Sequence, residues 1–434
     1  MSDKSTALGK SDIYDARSLG TPKVIILGIQ HMFAMFGSTV LVPMRTGLDV
    51  STTLLFAGLG TLLFHLLTKG KVPAFLGSSF AFLGGYAAIA PKLGPEADIP
   101  NKELLPYACF GVACAGLLYL LLALLIRLFG TGRVMKFFPP IVTGPIIIAI
   151  GLTLSPSAIN NCAKDWPIAL VAILLVIICN IWGKGMIKIV PIIIGVLGSY
   201  LAAVIFGRAD FSKVAEAAWV GLPIHWNETA FSVLGGGDTT KLITAVITIM
   251  PIALATMVEH IGDISAISST VGKNYIKDPG LHRTLLGDGL ATILASLFGA
   301  PANTTYGENT GVLSLTRVFD PLVIRLAACF AILVSFCPKF AAVISCMPDA
   351  TVGGVSLVLY GMISAVGVRN IVETKVDFSK TRNVLIAALI LVLSIGIAYS
   401  TGGAVAFHIK DVYNIMSGLA VGAVVGILIN ALLT

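Results

Sequence analysis

Charge is what this 434-residue sequence has least of. Asp, Glu, Lys and Arg make up 12% of it, where a soluble globular chain carries about a quarter. Hydrophobic residues reach 56% and mean hydropathy is +0.93. This excludes a water-soluble domain and indicates a polytopic membrane protein. The seven cysteines (109, 114, 162, 179, 329, 337 and 346) include no Cys-x-x-Cys pair. They read as small core residues, with no disulfide or metal framework. No metal-ligand cluster, nucleophile–base pair or phosphate loop is found, so an enzyme is not expected. The net charge of +7 is not a nucleic-acid signal, because in membrane proteins Lys and Arg first set loop topology. The first apolar run, Val24–Pro43, is too long for a signal sequence and has no small-residue cleavage site. It is expected to remain as a span.

What is present is long apolar runs. Met1–Gly20 reads as a polar tail. The runs after it read as 14 spans, near 22–43, 52–68, 73–90, 105–129, 139–155, 166–183, 188–207, 240–271, 283–299, 302–316, 321–344, 348–367, 383–400 and 411–433. Most supply the roughly 17–25 apolar residues a membrane helix needs. Spans three and ten are polar and interrupted. An even count puts both termini on one side, and that side then holds 20 of the 29 Lys and Arg. The positive-inside rule makes it the cytoplasmic side.

Three landmarks recur in the same order. Gln30-His31 answers Glu259-His260 at an offset of 229, and Pro73-Ala74 answers Pro301-Ala302 at 228. Pro139-xxxx-Gly144 answers Pro348-xxxx-Gly353 at 209. Two copies of a seven-span unit must lie in opposite orientations. Inverted repeats with discontinuous segments near the midplane are a transporter signature.

The most unusual stretch is PANTTYGENTGVLSLTR, Pro301–Arg317. It places Glu308 and broken backbone inside apolar sequence, and a carboxylate at membrane depth costs several kcal/mol. The other interior acids are Glu259, Asp263 and Asp288. Glu259 and Asp263 share a helix face. Two close carboxylates in low dielectric do not both ionise cheaply, which suits proton carriers. A structural pair bonded to Ser, Thr or backbone is the alternative. Asp288, between Gly287 and Gly289, fits a structural role or a proton relay equally. His260 lies about 100° round from Glu259 and is expected to face elsewhere. Gln30 and His31 are expected to brace the broken segments, and His65 and His282 receive no role. Carboxylate acceptors, amide donors at Phe80 and Gly307, and the flat surfaces of Phe80 and Tyr306 match a planar heterocycle with N–H and C=O groups. A simple anion does not fit, because no Lys or Arg lies within 73–90 or 302–316. A sugar would favour a stacking Trp, and all four Trp (166, 182, 219, 226) lie elsewhere.

These motifs resemble a known family, the nucleobase–ascorbate transporters, and most closely its bacterial uracil permease members. The resemblance runs from about Thr21 to the C-terminus. It is carried by Gln30-His31, PAFLGSSFAF (73–82), VEHIGD (258–263), DPGLHR (278–283), NTTYGENTG (303–311) and GGVSLVLYG (353–361). The family signature stands here as Glu308-Asn309-Thr310-Gly311 followed by Thr316-Arg317.

The resemblance implies an all-α fold of 14 transmembrane segments as a seven-plus-seven inverted repeat. Short antiparallel β-strands in segments 3 and 10 would cross at the substrate. It implies a cytoplasmic tail over 1–20, core-domain parts at 21–136 and 238–345, and gate-domain parts at 137–237 and 346–434. Glu259, Glu308, the amides of Phe80 and Gly307, Tyr306 and Tyr360 would bind a nucleobase. Gln30, His31, Ser79 and Asn309 would support the site, and Glu259, Asp263 and Asp288 would couple protons. Asp263 and Asp288 look more like the purine members, whereas Glu308 within YGEN and His260 look like the uracil group. The expected activity is proton-driven uracil import across a bacterial inner membrane, without a cofactor. The alternatives are a xanthine or urate symporter and a passive facilitator. A homodimer through the gate domain is implied by the resemblance alone.

Overall fold

The computed structural model describes residues 12–93, 99–184, 187, 190–401, 403–409 and 412–433. For Lys213, Glu308, Leu315, 407–409 and 412–415 it describes the backbone only. The molecule is mostly helical. In chain order the first elements are α1 (Thr21–Thr46), α2 (Val50–Leu67), β1 (Leu76–Ser78), α3 (Leu83–Ile89) and α4 (Leu105–Phe129). Then come α5 (Pro140–Lys164), α6 (Trp166–Trp182), α7 (Pro191–Ile205), α8 (Thr239–Ile249), α9 (Ala253–Val271) and α10 (Leu281–Leu297). The last are β2 (Asn303–Thr305), α11 (Glu308–Thr316), α12 (Pro321–Ser335), α13 (Pro338–Ser345), α14 (Asp349–Glu373), α15 (Thr381–Ala398), β3 (Ala404–Ile409), β4 (Val412–Ser417) and α16 (Gly418–Leu432). Helices α8 and α9 run on as one span through a 3-10 turn. Among the described residues, seven helices are long and apolar enough to cross a membrane. The count is eight if α12 and α13, bent by 89°, form one span. The chain is a multi-pass membrane protein.

Helix ends follow from the sequence. α1 opens with Pro22, where a missing N–H costs nothing. It closes on Gly47 at φ +87, a left-handed position that favours glycine. α2 is capped by the Asp49 carboxylate, which accepts from the Thr52 amide at 2.6 Å. α12 is capped by Asp320, which accepts from Leu322 at 2.9 Å. The broadest helix contact joins α5 to α14, the elements that carry the Pro-xxxx-Gly landmarks. Glycines let their backbones approach. A Cβ on Gly367 would lie 2.7 Å from the Gly144 carbonyl oxygen.

The interrupted segments are built as expected. β1 and β2 pair antiparallel, with Leu76 opposite Thr305, Gly77 opposite Thr304 and Ser78 opposite Asn303. Span ten therefore divides into β2 and the nine-residue α11. The far end of the chain differs from the reading of its sequence. A span was expected over 411–433, yet α16 begins at Gly418, and β3 and β4 form an antiparallel pair before it. The stretch is rich in Val, Ile, Phe and Tyr, which suit a pleated surface. Hydropathy alone cannot separate such a strand from the apolar helix that follows.

The chain before α1 also has a fixed place from Asp12 onward. Ile13 exchanges backbone bonds with Arg317 and Phe319, both at 2.8 Å. The Ala16 amide donates to Asp320 Oδ2 at 2.8 Å. Residues 1–11 lie outside the described residues.

Candidate functional site

The site is assembled on the β1–β2 pair. The Ser79 amide donates to the Ala302 carbonyl at 3.0 Å, and the Tyr306 amide to the Phe75 carbonyl at 3.0 Å. Beyond each strand the chain turns into a half-helix. Phe80 opens a 3-10 turn into α3, and Gly307 caps α11. Two helix N-termini thus flank the strand crossing, where their amides favour an acceptor or partial negative charge.

Two strands leave backbone groups with no strand partner, which is costly in an apolar interior. Flanking helices satisfy them with side chains. Thr61 of α2 accepts from the Leu76 amide at 2.9 Å and donates to the Leu76 carbonyl at 3.3 Å. His65 meets the Ala74 carbonyl at 2.9 Å, so this residue does have a structural role. Thr292 of α10 donates to the Asn303 carbonyl at 2.7 Å. The Asn303 amide nitrogen donates in turn to the Phe56 carbonyl.

Tyr306 is fixed to the opposite strand. Its hydroxyl donates to the Ser78 carbonyl at 2.9 Å and lies 3.4 Å from the Thr39 hydroxyl. Its ring covers Gly77, where a Cβ would come within 2.6 Å of ring atoms. These bonds hold Tyr306, which the sequence suggested as a pocket-lining residue, against β1. Phe80 and Tyr360 stand edge to face with ring centroids 5.5 Å apart. This contact joins the turn after β1 to α14.

The acids on α9 sit beside this crossing. Glu259 is half-buried and Asp263 buried one turn on. A Cβ on Gly307 would lie 2.9 Å from Asp263 Oδ1, so the carboxylate closes over the cap of α11. The side chain of Glu308 lies outside the described residues.

Asp288 has a partner that the sequence reading missed. Thr305 donates to Asp288 Oδ1 at 2.9 Å, and Asp288 Oδ2 lies 3.2 Å from His260 Nδ1. His260 Nδ1 is 3.0 Å from the Thr305 hydroxyl oxygen, and Nε2 is 3.0 Å from that of Thr284. Thr284 donates its proton to the Leu281 carbonyl at 3.0 Å. His260, Thr305, Asp288 and Thr284 thus form one buried polar cluster that joins α9, β2 and α10. The His260 and Asp288 side chains are fully buried. The available signal was the run Thr284, Asp288, Thr292, Ser296, one polar residue per turn on one face of α10, all buried.

The remaining expected site residues are buried around the crossing. Gln30 and His31 lie within α1, and His31 sits beside Asn309 of α11. Among the described residues, the Ser79 hydroxyl, both His31 ring nitrogens, both Asn309 amide atoms and the Tyr360 hydroxyl find no hydrogen bond of good geometry. Buried polar atoms are nearly always partnered. A group of them around two facing helix termini fits a small polar ligand.

The permease family model Xan_ur_permease matches residues 22–403. The uracil permease of Bacillus subtilis (strain 168) is 40% identical, covering 100% of this chain and 96% of the relative. That of Escherichia coli (strain K12) is 36% identical over 93% of this chain and 90% of its own length. The putative pyrimidine permease RutG of the same strain is 35% identical over 99% and 94%. Among solved structures, the transmembrane domain of a cyanobacterial bicarbonate transporter, BicA, aligns with a TM-score of 0.57 at 14% identity, covering 97% of this chain and 99% of that one. SLC26A9 aligns at 0.64 and 12% identity over 96% and 66%; such distant likeness speaks to fold alone. The family match spans most of the sequence, and the chain belongs to the nucleobase–ascorbate transporter family, as a permease and not an enzyme.

Proposed function

We propose that this permease imports uracil, driven by the proton gradient across a bacterial inner membrane. The observation that carries the reading is the β1–β2 crossing, with two half-helix caps and the acids of α9 around it. A uracil ring offers N–H groups to carboxylates and C=O groups to amides. In this reading Glu259 and Glu308 accept from the ring, and the Phe80 and Gly307 amides donate to its carbonyls. Tyr360 and Phe80 cover its faces, and Gln30, His31, Ser79, Asn309 and Tyr306 support the site. The uracil permeases among its relatives supply the ligand class.

Coupling follows from low dielectric. Glu259 and Asp263 lie one helical turn apart, and a proton on one eases ionisation of the other. Protonation of Glu259, modulated by Asp263, is linked to binding, with Asp288 as the third coupling acid, next to the strand. No cofactor is required. The fold is read as 14 segments in two inverted sevens, counting the seven long helices, the bent pair α12–α13, the shorter α6, α7, α10 and α16, and both broken segments. Core parts 21–136 and 238–345 move against gate parts 137–237 and 346–434. Both termini are cytoplasmic, and a homodimer forms through the gate.

The test is uptake of labelled uracil into cells lacking other uracil transporters. Accumulation above the external concentration, abolished by a protonophore, is expected. Thymine and purines should compete less well than unlabelled uracil. Stronger competition by xanthine or urate would assign a purine, which Asp263 and Asp288 would then explain. Uptake that only equilibrates would make it a facilitator. Glu259→Gln with Asp263→Asn should abolish accumulation; unchanged, pH-dependent accumulation would remove the proton role.

A further inference from the structure

Away from the strand crossing, a groove of about 410 Å³ opens on the apolar surface between α4, α9, α16 and the connector 130–138. We propose that it seats one anionic phospholipid, an acyl chain in the groove and the phosphate on Arg133. This goes beyond nucleobase transport and does not depend on it.

The floor is sunk beneath its rim. Leu122, Val134, Phe138 and Met257 are all buried, whereas Leu125 and Phe129 stand 36% and 54% exposed at the edge. Arg133 is the only polar side chain among the described lining residues. An apolar concavity facing hydrocarbon is filled by hydrocarbon, and a groove holds one chain more firmly than a flat surface does. The cation at its end decides which lipid the chain belongs to. Arg127 and Lys136 flank Arg133 in sequence, one in the last turn of α4 and one in the connector. Arg127 also lies close enough to His282, at the start of α10, to act on it electrostatically. Arg127, Arg133 and Lys136 have no ion-pair partner among the described residues. A phosphate diester neutralises such a cluster, while a zwitterionic headgroup would bring its own cation against it. Basic pockets beside membrane helices select anionic headgroups on this basis.

The groove also joins parts of the molecule. Leu122 belongs to α4 and Met257 to α9, two residues before Glu259. Val134 and Phe138 belong to the connector and Ile427 to α16. A seated lipid touches the helix that bears the acid and the last helix of the chain at once.

The experiment uses the full chain, purified and delipidated, then titrated with equimolar phosphatidylglycerol and phosphatidylcholine and read by native mass spectrometry. Wild type is expected to retain phosphatidylglycerol preferentially. Arg133→Gln should reduce that preference about fivefold, the weight of one cation at an anionic surface, and Arg133→Lys should keep most of it. Leu125→Trp, which fills the groove, should lower occupancy by both lipids. Arg133 is exposed, so its replacement spares the core. An unchanged preference in Arg133→Gln would overturn the proposal. So would an equal loss in Arg369→Gln, an exposed cation remote in sequence, because selection would then be a general surface-charge effect.

Discussion

Removing the His260 imidazole would leave the Asp288 carboxylate fully buried with only Thr305 to answer it. Breaking a buried pair by deleting one member costs about 3–5 kcal/mol. His260→Ala should therefore lower the unfolding temperature by several degrees. Adding Asp288→Asn should recover part of the loss, because no charge is then stranded. Strict additivity of the two changes would show that the residues do not interact. At Gly307 the constraint is space. Ala there would press a methyl against Asp263, and overpacking costs about 1–3 kcal/mol. Gly307→Ala should fold and lower uptake about tenfold; uptake equal to wild type would mean the carboxylate moves aside freely. These residues differ in how far the sequence reveals them. Glu259 and Asp263 are legible because acids are rare in apolar sequence and their spacing gives one face. The angle from Glu259 to His260 says only that the ring points elsewhere. Its partners lie on α10 and β2, and no local pattern on α9 encodes them.

At the scale of elements, the two broken segments were legible because Pro73-Ala74 and Pro301-Ala302 recur at matched positions in the two halves; that each carries a strand came only from the family resemblance. The side chains that complete the strands were not legible, since Thr61, His65 and Thr292 look like ordinary helix residues until their neighbours are known. The β3–β4 pair was hidden for another reason, apolar strand and apolar helix reading alike in hydropathy. Elements are also tied together outside the membrane. Lys71, after α2, donates to both carboxylate oxygens of Asp278 at 2.7 and 2.6 Å, before α10. The Lys71 ammonium holds the Asp278 carboxyl below its ordinary value. A folded-state value below the unfolded one gives stability that is present above the unfolded value, about 3.9. That stability is lost only as pH falls through the lower, folded value. The pair is exposed and contributes little. It is thus ionised and constant between pH 5 and 8. Lys71→Gln should leave the pH profile of uptake in that range unchanged, and a shifted profile would place a coupling group at this surface.

Over the whole molecule, the following ion pairs and loop contacts of the described residues respect one partition. Parity assigns Lys71, Lys273 and Arg317 to the side of the termini. There the structure joins Lys71 to Asp278, Lys273 to the Tyr14 ring at 4.5 Å, and Arg317 to Asp12 at 3.6 Å. Parity assigns Lys102, Lys164, Arg208 and Lys339 to the other side. Their partners are Glu228, Asp349, Asp165 and the Trp219 ring, all in loops or helix ends that the same count places there. An odd number of crossings between the two members of any of these pairs would have put them on opposite faces. Seven long helices alone do not demand this order; the fourteen-segment reading also counts the shorter helices, the bent pair and the two broken segments as crossings. Single cysteines in a cysteine-free background test it. Lys102→Cys and Lys164→Cys should react with a membrane-impermeant maleimide in intact cells. Lys273→Cys and Lys375→Cys should react only after permeabilisation. Labelling of Lys273→Cys from outside would break the fourteen-segment reading and place the acids of α9 in the opposite orientation to the gradient that is to drive them.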